Sequence, residues 1–159
     1  MKKSKLALIV GIASVIMSWK VHDPTIEIRR GENNGRMNVI PCVIKLEKID
    51  GAKKEDIEPL NCFVLGLGGE QEKRIDKKGR VFLIGGDRGF LKVKEGKYRL
   101  GVYTPPEYQE GYVSNNTETW RSNHLDLRIS GAKKFILSVE PTAKDGEYDG
   151  GWVIHLEKQ

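Results

Sequence analysis

From Lys97 to Thr104 the chain alternates in strict phase. Tyr98, Leu100, Val102 and Thr104 fall on one side, and Lys97, Arg99 and Tyr103 on the other. A period of two over that length marks a half-buried β-strand, and Pro105-Pro106 stops it. The same reading predicts strands at Thr25–Arg30, Asn38–Ile49, Asn61–Gly68, Arg80–Ile84, Phe90–Lys94, Leu125–Ile129, Phe135–Val139 and Trp152–Leu156. Pro41 has no N–H to give to a ladder, so its run should lie at an edge or bulge near its start. Residues 52–60, AKKEDIEPL, alone have helical character, which Pro59 would end. Glycine-rich turns separate the strands, among them Asp50-Gly51, Arg74–Gly79, Gly85–Gly89 and Glu95-Gly96. Short strands at this spacing predict an all-β protein: a single antiparallel β-sandwich, Greek-key in character, over residues 21–159. One connection, residues 105–123, is much longer than sandwich loops usually are.

The first twenty residues follow a different pattern. Lys2, Lys3 and Lys5 precede an apolar run from Leu6 to Met17, interrupted only by Gly11 and Ser14. A basic start before such a run is the pattern of an export signal, and the run is short for a membrane span. Residues 1–20 are therefore read as a signal peptide, releasing a secreted domain, or as an N-terminal membrane anchor through residues 6–19. Either reading places the protein at the cell envelope. This segment also changes the charge picture. The chain carries 27 Lys+Arg and 22 Asp+Glu. Residues 1–20 hold four of the lysines and no acid, which leaves 23 cations against 22 anions. A nearly neutral domain lacks the clustered cations that nucleic-acid phosphates require, so a nucleic-acid partner is not expected.

Cys42 and Cys62 lie in consecutive predicted strands. In an exported protein the pair is expected to form a disulfide, the alternative being two buried thiols acting as small hydrophobes. No C-x-x-C or Cys/His cluster is present, and neither a metal nor another cofactor is expected.

Two segments, Asp76-x-x-Gly79-Arg80-Val81-Phe82 and Lys94-Glu95-Gly96-Lys97-Tyr98-Arg99-Leu100, together resemble the pattern of carboxypeptidase-regulatory-like and related prealbumin-like (Cna-B-type) domains. The resemblance spans about residues 38–104, and Ile84–Lys94 stands between its two motifs as an additional strand. It implies a prealbumin-like sandwich serving as a non-catalytic module of an exported protein. Some relatives in that group carry a Lys–Asn/Asp crosslink, for which Lys45 and Lys48 are placed on an early strand, but the last strand offers no Asn.

The polar constellations give little enzymology. His124, Asp126 and Arg128 alternate with Leu125, Leu127 and Ile129, which describes a solvated strand face more simply than a general-base or metal site. Glu107, Glu110 and Glu118 lie in the long loop, where nothing in the sequence holds a pair of acids rigidly in a cleft. A small hydrolase is the least favoured reading, and no catalytic residue is assigned. The long loop is distinguished by its aromatic content. Tyr103, Tyr108, Tyr112 and Trp120 are interleaved with amides including Asn123. Flat rings stack on sugars or partner side chains, and amides supply adaptable hydrogen bonds. The same rings could simply pin the loop to the sheet. The expectation is a binding or interaction module whose contact surface is the 103–123 loop, its partner a protein or glycan at the cell surface. The alternative is a membrane-anchored structural component of a larger envelope assembly.

Overall fold

The computed structural model describes residues 25–32, 35–51, 55–56, 62–109, 119–131, 133–144 and 147–158. The described residues form twelve strands: β1 (Thr25–Arg30), β2 (Cys42–Lys48), β3 (Glu55–Asp56), β4 (Cys62–Leu65), β5 (Gln71–Glu72), β6 (Phe82–Leu83), β7 (Arg88–Lys92), β8 (Gly96–Thr104), β9 (Trp120–Arg121), β10 (Leu125–Ile129), β11 (Lys134–Lys144) and β12 (Glu147–Lys158). They form two sheets. The first runs β12-β11-β1-β7-β4-β5, and the second runs β10-β8-β2-β3, with β6 also on β2 and β9 also on β8. Residues 1–20, read above as signal or anchor, lie outside the described residues.

The period-two pattern explains the core between the sheets. Ile26, Ile28, Leu91, Leu137, Val139 and Ile154 come from the first sheet, and Leu46, Tyr98, Leu100, Val102, Leu127 and Ile129 from the second; all are buried. The all-β class holds, with two corrections of detail. One ladder is parallel: β1 lies beside β11 in the register Ile26↔Phe135 and Ile28↔Leu137, so the first sheet is mixed rather than purely antiparallel. And within residues 52–60 the described pair Glu55-Asp56 is not helical but a short strand paired with Lys48 and Glu47. The Asn38–Ile49 run is a short 3₁₀ turn (Gly35–Val39) followed by β2, which begins only after Pro41, as its missing N–H requires.

The parity that sends Ile26 and Ile28 inward also carries Arg30 inside. Its side chain is fully buried, with the guanidinium 4.2 Å from the Trp152 ring centroid. It donates to the carbonyls of Ile40 (3.0 Å) and Met37 (2.6 Å), and the Cys42 thiol lies against it. Cys42 and Cys62 are both free, one in each sheet, so the disulfide is not the state seen. Burial pushes the Cys42 thiol up despite the neighbouring guanidinium, and burial pushes the Cys62 thiol up to about 12.

Candidate functional site

Both described feet of the long loop are tied down by hydrogen bonds. The first foot leaves β8 at Thr104 and turns through a short 3₁₀ segment, Pro106–Tyr108. Tyr108 reaches across to the Asp76 hairpin and donates its hydroxyl to Asp76 Oδ2 at 2.6 Å. That hairpin is built by its own sequence. Asp76 Oδ1 accepts from the N–H groups of Lys78 and Arg80 (both 2.9 Å), and Gly79 adopts the left-handed φ of 76° that a side chain would resist. The Arg80 guanidinium adds a 2.7 Å bond to Asp76 Oδ2 and a 2.9 Å bond to Glu107 Oε1. Burial alone would raise the Asp76 carboxyl, but donation from Tyr108, Arg80 and Lys78 outweighs it and brings the group down to about 2. Glu107 is also held low, first by Arg80.

At the second foot, Trp120 pairs with Thr104 and is buried in the core. Ser122 and Val102 exchange bonds: the Ser122 hydroxyl accepts from Val102 N–H (2.9 Å), and Ser122 N–H donates to Val102 O (3.0 Å). Asn123 joins the two sheets. Its amide donates to Ile154 O (3.0 Å) and accepts from Ile154 N–H (2.8 Å), completing a ladder rung for β12 with a side chain. Thr104 plays a similar part from the first foot, donating to Pro41 O (2.6 Å) and accepting from the Trp152 indole N–H (2.9 Å).

The residues expected to bind a ligand therefore separate. Tyr108 is engaged with Asp76, Trp120 with the core and Asn123 with β12, while Tyr112 lies outside the described residues. Tyr103 lines an open surface feature. This is a basin of about 190 Å³ on the outer face of the second sheet, bordered by Lys45, Glu47, Arg99, Gly101, Val102, Tyr103, Arg121 and His124. Its origin is a missing side chain. Along β8 the outward positions are Lys97, Arg99, Gly101 and Tyr103, and Gly101 leaves a notch in the row. Register places Lys45 beside the notch on β2. From the other edge the His124 ring occupies the space a side chain would take, with Cδ2 2.8 Å from where a Cβ on Gly101 would stand. A glycine in mid-strand costs stability, and it permits this close approach.

The charges around the basin are unequally committed. Arg99 is held by two bonds to Asp126 (2.8 and 3.0 Å), which lower the carboxyl, and Lys45 pairs with Glu47 at 3.0 Å. Arg121 is exposed and forms no ion pair with a described residue. The basin thus presents an aromatic ring, an imidazole and a guanidinium with no ion pair among the described residues, over a polar floor. The sequence reading names Tyr103 as a contact residue, places His124 on a solvated strand face and Lys45 only among crosslink candidates, and does not single out Arg121 or Gly101. The glycine interrupting an outward row of large polar residues was the available signal. Among the described residues no cluster of His, Cys, Asp or Glu is arranged to hold a metal ion. Compared with protein-family models, with curated proteins and with solved structures, the chain matches none.

Proposed function

We propose that this protein is an exported, non-catalytic β-sandwich module that binds a protein or glycan at the cell envelope through the surface at the feet of its 103–123 loop. The observation that carries the reading is the Gly101 basin, where residues from both feet meet a fixed sheet surface. Tyr103 comes from the first, Arg121 and His124 from the second. Loops on a rigid scaffold are where binding residues concentrate, and pinned feet lower the entropy lost on binding. A guanidinium beside a tyrosine ring, with no ion pair among the described residues, suits a ligand that offers an anionic group next to a flat face. The resemblance of the Asp76–Phe82 and Lys94–Leu100 segments to prealbumin-like modules supports a binding role over an enzymatic one. So does the engagement of Asp126 by Arg99 and of Glu107 by Arg80. The second reading, an anchored component of a larger assembly, is supported by the cations at the end of the sandwich where β1 begins, which form no ion pair among the described residues.

The test is an NMR titration of the full-length protein with panels of acidic and neutral oligosaccharides and acidic peptides. Binding should perturb Tyr103, Arg121 and His124, and should be lost in Gly101→Val, whose side chain displaces the His124 ring from the notch, and in Arg121→Ala. A ligand that binds both variants as tightly as wild type, or that perturbs a different surface, overturns the assignment.

A further inference from the structure

We propose that the end of the sandwich at which β1 begins docks on an anionic phospholipid surface. Strand register fixes what that end contains. Thr25 opens β1 between Lys92 of β7 and Lys134 of β11. In the second sheet Gly96 faces Ile129, Lys97 faces Arg128, and Lys48 faces Tyr98 one row further in. The loops following β7 and β10 touch, because Gly131 N–H donates to Glu95 Oε1 at 2.9 Å. Exposed Lys94, Lys97, Arg128 and Lys133 are thereby gathered on one end, with Lys48 and Lys92 beside them.

These four exposed cations form no ion pair with any described residue. The acids at this end are Glu95, bonded to Gly131; Glu27, which holds Arg29 (2.8 Å) and Lys134 (2.7 Å); Asp50, next to Lys48 at Gly96; and Glu55 and Asp56 on the edge strand β3. At the far end Lys73 and Lys77 are likewise exposed, but the neighbouring cations are engaged by acids. There Arg74 is paired with Asp87, Arg80 with Asp76 and Glu107, and Lys78 with Glu107. The domain is close to neutral, yet four exposed cations without an ion pair to any described residue lie together at one end.

The direction of the chain supplies the partner. Residues 18–24 join the apolar run to Thr25 and, fully extended, span only about 25 Å. An anchor through residues 6–19 would hold this end, and no other, close to the bilayer. The inference rests on that anchor reading for its geometry, and on the lysines and Arg128 for its chemistry. Each cation brought to an anionic surface raises partitioning about fivefold, an effect that falls off within a Debye length and weakens in salt.

The test uses the full-length protein with vesicles of phosphatidylcholine, alone or mixed with phosphatidylglycerol. Lysine acylation is read by mass spectrometry. Labelling of Lys94, Lys97 and Lys133 should fall several-fold on the anionic vesicles and recover in high salt, while Lys73, Lys77 and Lys78 at the far end stay reactive. Equal labelling on both vesicle types, or equal protection of both ends, overturns the proposal. Flotation with neutral vesicles in high salt reads the anchor separately. If the protein stays behind there, the anchor reading fails, and docking is judged by salt-sensitive flotation with anionic vesicles. That flotation should weaken by about a hundredfold or more in the Lys94→Glu, Lys97→Glu, Lys133→Glu variant. Unchanged flotation of a variant that keeps the wild-type urea midpoint overturns docking on its own.

Discussion

Asp76→Asn tests whether the hairpin that pins the long loop is held by charge. The Asp76 side chain is only 6% exposed, and it collects bonds from Tyr108, from Arg80 through backbone and guanidinium, and from Lys78. Burial pulls its pKa upward, yet these donors bring it from 3.8 to about 2. At roughly 1.4 kcal/mol per pH unit, preferring the charged form contributes about 2 kcal/mol to stability at neutral pH. The folded pKa lies below the unfolded one, so this contribution is complete above pH ~4 and drains away as pH falls towards ~2. The substituted carboxamide cannot titrate. The variant should therefore be about 2 kcal/mol less stable than wild type at pH 7, and the gap should narrow steadily below pH ~4. Urea unfolding followed by tryptophan fluorescence from pH 7 downward measures both curves, with the m-values checked for equality. Two pH profiles that run parallel would refute the reasoning, because the gap would then owe nothing to ionisation.

Arg30→Met keeps bulk in the core but removes the stack on Trp152 and orphans the carbonyls of Met37 and Ile40; a loss of about 3 kcal/mol is expected in urea unfolding. An unchanged midpoint would mean that removing a buried charge offsets both losses. Trp120→Ala should cost about 3–5 kcal/mol, because the ring lies in the core rather than on a binding face; wild-type stability would refute that placement. Burial raises both thiols, so at neutral pH neither Cys42 nor Cys62 should alkylate appreciably until the protein is unfolded. An intact mass that increases on reduction would show that they are bridged after all.

Much of the architecture was legible because strands with one buried face carry their pattern openly. β1, β8 and β10 follow the alternation almost to the residue. β5 and β9 were not visible: two residues have no period, and Trp120-Arg121 is a strand only because the chain returns to Thr104 and Tyr103. The β11–β12 hairpin was underestimated in length. The predicted strands stop at Val139 and start at Trp152, whereas the ladder continues through Pro141 with a register shift between Pro141 and Ala143. The parallel β1–β11 pair could not be inferred, since it joins segments more than a hundred residues apart. The site was half visible for the same reason. Aromatic and amide residues mark the loop, but whether each one binds or braces depends on partners such as Asp76 and Ile154 that lie far away in sequence. The basin itself depends on the Lys45↔Gly101 register, which local patterning does not contain.

The two proposed surfaces constrain one another through β8. That strand runs nine residues from Gly96 to Thr104, and a strand rises about 3.4 Å per residue. Gly101 therefore stands about 17 Å along the strand from the basic end, with the loop feet about 10 Å beyond it. With Lys94, Lys97, Arg128 and Lys133 against a bilayer and β8 directed away from it, the basin opens sideways, clear of the headgroups. A partner reaching Tyr103 and Arg121 from solution would meet no steric conflict with lipid. Asn123 and Tyr108 keep the two feet fixed to the part of the sandwich farthest from the membrane. The arrangement has a definite consequence: neutralising the basic end should change where the module sits without changing what the basin binds, and filling the notch at Gly101 should do the reverse. Loss of both functions from either change would mean that one surface had been mistaken for two.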